Sequence, residues 1–297
     1  MKKDDLSNEF ARLENEVRQL CKDVANLKNT IELQGSASLD DALQMRGLTV
    51  FRENPTEGLF IPKDAPKDLK DVFYETLKKY SFRLFLRDLI RDENCFEIRN
   101  STRYYSKETA KKYLDFLEEV GAVEALQSQR YRVKPGPIRS FGPTLEWFIA
   151  EIFKREFLSP AIYGVSLKDT PSGGDYDVIA KWEQQIVYVE VKSSPPKGIE
   201  IKEVSAFINR INDLIPHVAL FFVDTELRMK DKIVVMFEEE LKNRYGNKAR
   251  GKYAIQRLVD ELFHINDFLF IVNSRKDVIS NIRLCLRHYL SSRVIKV

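Results

Sequence analysis

The sequence has few of the residues from which disulfide frameworks, thiolate metal sites and histidine-based active sites are built. Its 297 residues include only three cysteines and three histidines. The cysteines are odd in number, far apart and without a CxxC pair, so neither a disulfide framework nor a zinc site is expected. The histidines are equally scattered, and we expect no ligand role for any one of them. These residues are Cys21, Cys95 and Cys285, and His217, His264 and His288.

Long apolar runs and an excess of one charge are also missing. The longest apolar run, residues 218–223, is far too short to span a bilayer, and the first residues lead into a charged helix rather than an apolar signal core. We therefore expect a soluble, cytoplasmic protein with no membrane partner. The formal net charge of +3 is too small to indicate nucleic-acid binding by the chain as a whole, so any basic surface must be local. The chain has no GxSxG, Walker, GxGxxG or HExxH motif.

What the chain does have is a pair of strand-like segments, residues 173–180 and 186–193, rich in β-branched and aromatic residues. Alternation in the second segment places Tyr188, Glu190 and Lys192 on one face and three valines on the other. If Glu183 and Gln184 form a two-residue turn, Asp177 lies directly opposite Glu190, which corresponds to a Cβ separation of about 4.5–5.5 Å. Glu-Gln is not a favoured two-residue turn, so this register is a hypothesis.

Two carboxylates at that spacing repel one another unless a cation lies between them. Oxygen ligands of this kind suit Mg²⁺, or Mn²⁺ in its place, and Mg²⁺ often completes its shell with water and substrate phosphate. A lysine beside such a metal can hold a phosphate oxygen or orient the attacking water. Together these are the parts of metal-assisted phosphodiester hydrolysis. The alternative is a solvated hairpin face on which Asp177, Glu190 and Lys192 are incidental.

The Asp-Val-Ile strand followed about a dozen residues later by Glu-Val-Lys resembles the core of the PD-(D/E)XK nuclease superfamily, which includes restriction endonucleases and archaeal Holliday-junction resolvases. The strict Pro-Asp dipeptide of that family is absent here. The resemblance covers roughly residues 141–297 and implies Asp177, Glu190 and Lys192 as the catalytic trio, with Asp177 and Glu190 as metal ligands. A helix over residues 145–157 turns Glu146 toward its apolar side, where the resemblance implies an additional carboxylate beside the metal.

The remaining segments predict an α/β fold with a mixed sheet flanked by helices. Strands are expected at residues 161–167, 218–223 and 268–272, and helices at residues 200–214, 230–245, 254–262 and 278–290. The order αβββαβ agrees with the restriction-endonuclease-like fold that the resemblance implies. Residues 139–297 are therefore predicted to form the nuclease-like domain.

Residues 67–138 predict a winged-helix domain. Helices are expected over 69–79, 82–91 and 107–120, the last between a Ser106 cap and Gly121, followed by two short strands over 122–126 and 129–134. Basic residues concentrate here, where duplex phosphates lie in winged-helix complexes. The candidate DNA-binding residues are Arg103, Lys107, Lys111, Lys112, Arg130, Arg132 and Lys134. The alternative is a winged helix that contacts protein, which the acidic residues on the third helix favour.

The N-terminal segment predicts a coiled-coil helix over residues 1–35 and a linker over residues 36–66. Between residues 6 and 31 apolar side chains alternate at steps of four and three, which is a heptad that favours a parallel homodimer. A helix packed against the body of its own chain is the alternative. Gly35 and the small residues after it are expected to end the helix, and residues 48–52 and 59–61 to form a small hairpin.

The sequence thus predicts a Mg²⁺- or Mn²⁺-dependent DNA endonuclease with a coiled-coil arm and a winged-helix DNA reader. Two other functions stay open: a DNA-binding regulator whose nuclease-like domain binds without cutting, and a repair accessory that recognises branched or nicked DNA. The presence of all three residues of the trio favours the enzyme.

Overall fold

Helices and strands follow one another along the whole of the described chain. The structure, a computed structural model, describes residues 2–92, 96–98, 104–127, 129–134, 138–168 and 170–294. In chain order the helices are α1 (Lys2–Gln44), α2 (Lys67–Leu77), α3 (Tyr80–Arg91), α4 (Lys107–Val120), α5 (Gly142–Glu156), α6 (Ile201–Leu214), α7 (Val235–Tyr245), α8 (Ala249–Lys252) and α9 (Val278–Ser291). The strands are β1 (Thr49–Arg52), β2 (Phe96–Glu97), β3 (Val123–Leu126), β4 (Arg130–Val133), β5 (Ala161–Lys168), β6 (Asp175–Trp182), β7 (Gln185–Lys192), β8 (Val218–Val223), β9 (Ile255–Val259), β10 (Leu262–Ile265) and β11 (Leu269–Asn273).

Eight of the described strands form one mixed sheet in the order β1-β5-β6-β7-β8-β11-β10-β9. The three central strands β7, β8 and β11 run parallel, and the outer pairs are antiparallel. The predicted α/β class with a mixed sheet flanked by helices is confirmed, and α5, β5, β6, β7, α6 and β8 occur in the predicted order. All six residues of β8 are buried, as expected for an apolar strand covered on both faces.

Two apolar cores lie on the two faces of this sheet. Val178, Val187 and Val189 belong to the core that α5 and α9 cover. Ile179 and Tyr188 belong to the other core, which includes apolar residues of α6 and α7. The alternation of side chains along β6 and β7 therefore separates the two cores and fixes which face α6 occupies.

The N-terminal prediction needs two corrections. The helix does not end at Gly35 but continues to Gln44, where Leu39 and Leu43 are fully buried in the core beside α6. The burial of two leucines offsets the roughly 1 kcal/mol that a glycine costs inside a helix. The predicted hairpin of residues 48–52 and 59–61 is absent from this described region, because Thr49–Arg52 pairs antiparallel with β5 instead.

A third correction concerns residues 254–262, which form strand β9 and the turn before β10 rather than a helix. The spacing of Ile255, Leu258 and Leu262 suits a helix, but Asp260 has a positive φ of 48° and turns the chain back on itself. The four residues of β10 are buried between β9 and β11, so pairing with the sheet overrides the local pattern.

Residues between α2 and β4 form a small unit of three helices and a three-stranded sheet in the order β2-β4-β3. The helix α4 has its predicted bounds, because the Ser106 hydroxyl accepts a hydrogen bond from the Thr109 amide at 3.1 Å and Gly121 ends the helix with a φ of 81°. The apolar residues of this unit are continuous with the core beneath α5. The unit and the large sheet are therefore packed as neighbours.

A buried ion network also joins this unit to the large sheet. Arg83 on α3 is 1% exposed and donates to Asp224, which directly follows β8, at 2.9 Å. Arg87 donates to the same carboxylate and to its backbone carbonyl, and the Ser274 hydroxyl donates to it from the end of β11. Burial acts to raise the pKa of Asp224, but the two guanidinium groups outweigh burial, so this pKa is lowered and the carboxylate stays ionised.

Candidate active site

The hairpin of β6 and β7 has the two-residue turn from which the carboxylate pairing was predicted. Trp182 pairs with Gln185, and Val178 pairs with Val189. Glu183 and Gln184 between them both have positive φ, 45° and 66°, as a turn that matches the strand twist requires. The register follows from this turn, and it brings Asp177, one residue before Val178, to the level of Glu190.

A local irregularity in β5 and β6 turns Asp177 toward the cleft described below. Tyr163 and Val178 belong to the core beneath α5, whereas Val165 and Tyr176 belong to the opposite core. The change of face occurs at Gly164, whose φ is 54°. A bulge-like change of this kind re-aims side chains beside binding sites. Gly164 is also required for space, because a Cβ there would lie 2.7 Å from the Pro55 ring.

Glu190 is the most constrained side chain of the site, with 1% of its surface exposed. Lys192 Nζ lies 2.9 Å from Glu190 Oε1, and Arg210 Nη1 donates to Oε1 and Oε2 at 3.1 and 3.0 Å. The Tyr188 hydroxyl donates to Oε2. Two cations and a phenol therefore hold this buried carboxylate in one orientation.

Asp177 lies half-buried beside Glu190. One carboxylate oxygen, Oδ2, accepts a hydrogen bond from the Val191 amide at 2.6 Å. Burial raises the pKa of Asp177 well above its usual range, and the charges of Glu190 and Glu146 raise it further. The Val191 hydrogen bond and Lys192 act in the opposite direction without outweighing them.

Glu146, in the second turn of α5, completes the set of carboxylates. Burial raises the pKa of Glu146 to about 7, with further contributions from Glu190 and Asp175 and an opposing one from Lys192. Burial acts to lower the pKa of Lys192, but the charges of Glu190 and Asp177 outweigh it, so the Lys192 pKa is raised and the ammonium is retained. Lys192 also lies 3.0 Å from Glu203 on α6.

These side chains line one cleft of about 810 Å³. Glu146 reaches it from α5, Asp177 from β6, Glu190 and Lys192 from β7, and Arg210 from α6. All four residues that the sequence singled out for catalysis are therefore brought together. Carboxylate oxygens are the ligands that Mg²⁺ and Mn²⁺ prefer. After burial, the charge of Glu190 is the next cause that raises the pKa of Asp177 and of Glu146, and a dication would relieve this repulsion. The residues fit such an ion.

Sequence reasoning missed several residues of the cleft. Arg210 is the main one; it lies seven residues after Glu203 on α6, two turns along one helix face, and this spacing is the signal that points to it. Asp175 was also missed: its carboxylate accepts from Arg52 of β1 at 2.6 Å and from the Ser166 hydroxyl. Nothing in the local pattern indicates that β1 pairs beside the cleft.

The candidate DNA-binding residues lie on the unit of α2 to β4. Lys107, Lys111 and Lys112 are exposed on α4, whereas Arg103 lies outside the described residues. Lys111 is paired with Asp115, and Lys112 lies 3.3 Å from Glu108. Local carboxylates thus already engage part of this basic surface.

The basic residues of β4 are also engaged by groups of the same unit. On β4, Arg132 is paired with Glu124, and Arg130 donates to the Gln127 carbonyl at 3.1 Å. Lys134 is exposed directly after the strand. The exposed cations of α4 and β4 belong to one small unit, and any polyanion bound there must compete with these internal pairs.

Comparisons with known proteins give no family assignment. No family model matches the chain, and no curated protein matches it. Solved structures similar to it include VC1899 and Can2. Protein VC1899 from Vibrio cholerae has 14% identity and a TM-score of 0.44, over 68% of this chain and 55% of that one. Can2 from Sulfobacillus thermosulfidooxidans, solved in complex with cyclic tetra-adenylate, has 11% identity and a TM-score of 0.47, over 85% of this chain and 60% of that one.

The chain thus spans less than two thirds of either of these structures, and neither likeness assigns it an activity. A separate finding concerns membranes. Among the residues that the structure describes, no helix combines the length and the apolar character needed to cross a bilayer.

Proposed function

We propose that this protein is a metal-dependent DNA endonuclease of the PD-(D/E)XK type. The observation that carries the proposal is the gathering of Glu146, Asp177, Glu190 and Lys192 at one cleft, with Glu190 buried and the other two carboxylates half-buried beside it. A solvated hairpin face needs no such burial, because its charges are best left in water. The resemblance of the Asp-Val-Ile and Glu-Val-Lys segments to that superfamily supports the same assignment.

We assign each charged residue of the cleft a role in hydrolysis. Asp177 and Glu190 would hold Mg²⁺ or Mn²⁺, and Glu146 would support the ion from α5. When bound, the ion supplies a Lewis acid for a phosphate oxygen and lowers the pKa of a bound water. Lys192 orients the attacking water and stabilises the negative charge of the pentavalent phosphate. Arg210 is a positioning residue, since it bridges both oxygens of Glu190.

DNA is the proposed substrate because of the unit that α2 to β4 form. Its three helices, its sheet and the exposed lysines of α4 suit a winged helix that contacts duplex phosphates. Its packing against the large sheet would hold a bound duplex at a fixed distance from the cleft. We further propose that two copies associate through α1, so that two clefts act on one DNA molecule.

The test is cleavage of supercoiled plasmid, branched DNA and single strands with Mg²⁺ or Mn²⁺, and separately with Ca²⁺ or EDTA. Nicking or linearisation is expected only with Mg²⁺ or Mn²⁺, because the looser shell of Ca²⁺ activates water poorly. Glu190→Ala and Lys192→Ala should each reduce the rate by about 10²–10³. Glu239→Ala and Lys242→Ala, exposed on α7, are matched controls that should cut normally.

Two outcomes contradict the proposal in different ways. Tight DNA binding without cleavage under either metal identifies a regulator or a repair accessory that recognises DNA without cutting it. Cleavage that Glu190→Ala leaves unchanged places the active site elsewhere in the chain. Glu190→Ala and Lys192→Ala should both bind DNA as the wild type does, because neither substitution changes the unit of α2 to β4.

A further inference from the structure

Two of the three histidines meet at a carboxylate on a part of the sheet away from the cleft. His264 lies on β10, Asp267 in the turn between β10 and β11, and His288 on α9. Their possible ligand atoms all lie within 4.8 Å of one another. Asp267 Oδ1 is 3.0 Å from His264 Nδ1 and 2.7 Å from His288 Nε2. The strands β8 and β11 lie between β10 and β7, so this cluster is separate from the carboxylate cleft.

His264 is 5% exposed, and its buried Nδ1 atom has no hydrogen-bond partner among the residues that the structure describes. The Asp267 oxygen is near enough, but the contact lacks the angle of a hydrogen bond. A buried polar atom without a partner costs free energy, and such an atom in a native structure often marks a site for a water or an ion. Here the atom faces a second imidazole and a carboxylate.

The backbone and the packing hold the three side chains in place. Asn266 and Asp267 have φ values of 51° and 58°, a left-handed turn that asparagine and aspartate tolerate. The turn presents the Asp267 carboxylate to α9. Phe270 packs near both imidazoles, with ring centroids 6.1 Å from His264 and 6.0 Å from His288. An apolar ring of this kind limits the access of water to the cluster.

We propose that His264, Asp267 and His288 bind a divalent transition metal, with Zn²⁺ as the best fit. Two imidazole nitrogens and one carboxylate oxygen are ligands that Zn²⁺ accepts, and a fourth position is left for water. Zinc–ligand distances near 2.0–2.1 Å place tetrahedral ligands roughly 3.3 Å apart. The Asp267 oxygen lies 3.0 Å from His264 Nδ1 and makes a 2.7 Å hydrogen bond with His288 Nε2, so an ion would widen these contacts by roughly 0.3–0.6 Å. The ion fastens the β10–β11 hairpin to α9. Its nitrogen-rich ligand set separates it from the oxygen-only cleft.

The proposal is tested on full-length protein without a histidine tag, stripped with a chelator and then titrated with Co²⁺. A tetrahedral nitrogen-ligated Co²⁺ absorbs strongly in the visible range, whereas an ion in an oxygen-only octahedral site absorbs weakly. We expect one such Co²⁺ per chain and loss of the absorption when Zn²⁺ is added. Asp177→Asn with Glu190→Gln, which removes two carboxylates of the cleft, should leave the spectrum unchanged.

Asp267→Asn and His288→Asn decide the result, because their side chains are 43% and 27% exposed and their loss leaves the apolar core intact. Each should weaken Co²⁺ binding by at least about tenfold to a hundredfold, with a circular dichroism spectrum like that of the wild type. His217→Asn is the matched control, since an asparagine oxygen can replace the ring nitrogen that accepts from the Ile186 amide. Wild-type affinity in either deciding variant, or no Co²⁺ spectrum in the wild type, overturns the proposal.

Discussion

At the scale of single residues, the Glu146 carboxyl group couples the stability of the protein to pH. Its pKa is raised to about 7 in the folded protein, by burial first and by Glu190 and Asp175 next. In the unfolded chain a glutamate has a pKa near 4.3. Between these values the folded state binds the proton more tightly, so the free energy of unfolding falls as pH rises through this window.

The prediction is that metal-free protein loses up to about 3 kcal/mol of stability between pH 5 and pH 8 through this one group. Urea unfolding in EDTA at the two pH values measures the loss. Glu146→Gln should flatten the dependence, because the amide has no proton to release. Saturating Mg²⁺ should flatten it in the wild type as well. An equal slope in Glu146→Gln would show that other groups cause the dependence.

Gly164 is the second residue with a testable role. An alanine there would carry two costs: a left-handed backbone, about 1–2 kcal/mol, and a Cβ 2.7 Å from Pro55. Gly173 has a similar φ of 59° and open space around it, so Gly173→Ala measures the backbone cost alone. We expect Gly164→Ala to destabilise by about 1–3 kcal/mol more than Gly173→Ala in urea unfolding. Equal losses would show that Pro55 moves aside freely.

At the scale of elements, the sequence predicts the helices and strands whose bounds depend on nearby residues, such as caps and tight turns. The helix α4 could be predicted to the residue because Ser106 and Gly121 are its caps. The register of β6 and β7 followed from a two-residue turn, although Glu183 and Gln184 are not favoured turn residues. The sequence predicts the trio for the same reason, since Asp177, Glu190 and Lys192 lie on one hairpin.

Tertiary packing and sheet pairing decided the elements that were predicted wrongly. The helix pattern of residues 254–262 is overridden by the pairing of β9 with β10. Gly35 does not end α1, because the helix that continues past it buries Leu39 and Leu43, four and eight residues later, and this burial stabilises the longer helix. Arg210 was missed because its contact with Glu190 joins a helix to a strand 20 residues away. For Arg210 the local signal is its spacing from Glu203 on one face of α6. A short window of sequence shows neither the sheet that β9 and β10 join nor the core that receives Leu39 and Leu43.

The ion pairs of α4 and β4 predict that the four cations contribute unequally to DNA binding. Neutralising Lys107, Lys111, Arg130 and Arg132 to glutamine should weaken binding to all duplexes alike and reduce the slope of log K against log salt by about 0.9 per lost phosphate contact. Because Lys111 and Arg132 are paired with Asp115 and Glu124, we expect their share of the loss to be smaller than that of Lys107 and Arg130.

Fluorescence anisotropy with a labelled duplex, repeated over a range of salt concentrations, measures both quantities. The control is the same number of neutralised cations in and around α8, all exposed: Lys242, Lys248, Arg250 and Lys252. Their removal changes the net charge equally and should leave the slope unchanged. If the control reduces the slope as much, the effect is one of net charge. If neither does, the unit of α2 to β4 contacts protein rather than DNA.

At the scale of the whole molecule, the longest described helix carries a stripe of exposed apolar side chains. The 43 residues of α1 extend for about 65 Å. Its last turns are anchored by Leu39 and Leu43, but over residues 12–27 its apolar side chains are 50–63% exposed. They are Leu13, Val17, Leu20, Val24 and Leu27. The alternative in which this stretch packs on its own body is therefore wrong for residues 12–27.

A stripe of this length at heptad spacing has a natural partner in a second copy of itself, since β-branched residues at a and leucine at d favour two parallel strands. Deleting residues 1–34 should convert a dimer to a monomer in light scattering at tens of micromolar while leaving the fold intact, because Leu39 and Leu43 remain. Leu20→Glu should do the same, because two buried carboxylates would face one another at a d position.

The matched control is Lys22→Glu, which reverses a charge on the outward side of the same helix and should leave the dimer intact. In a dimer each DNA molecule meets two clefts, so Leu20→Glu should also change the products of plasmid cleavage from linear to nicked. A full-length chain that is monomeric at tens of micromolar contradicts dimerisation through α1. A Leu20→Glu protein that stays dimeric places the interface elsewhere in the molecule.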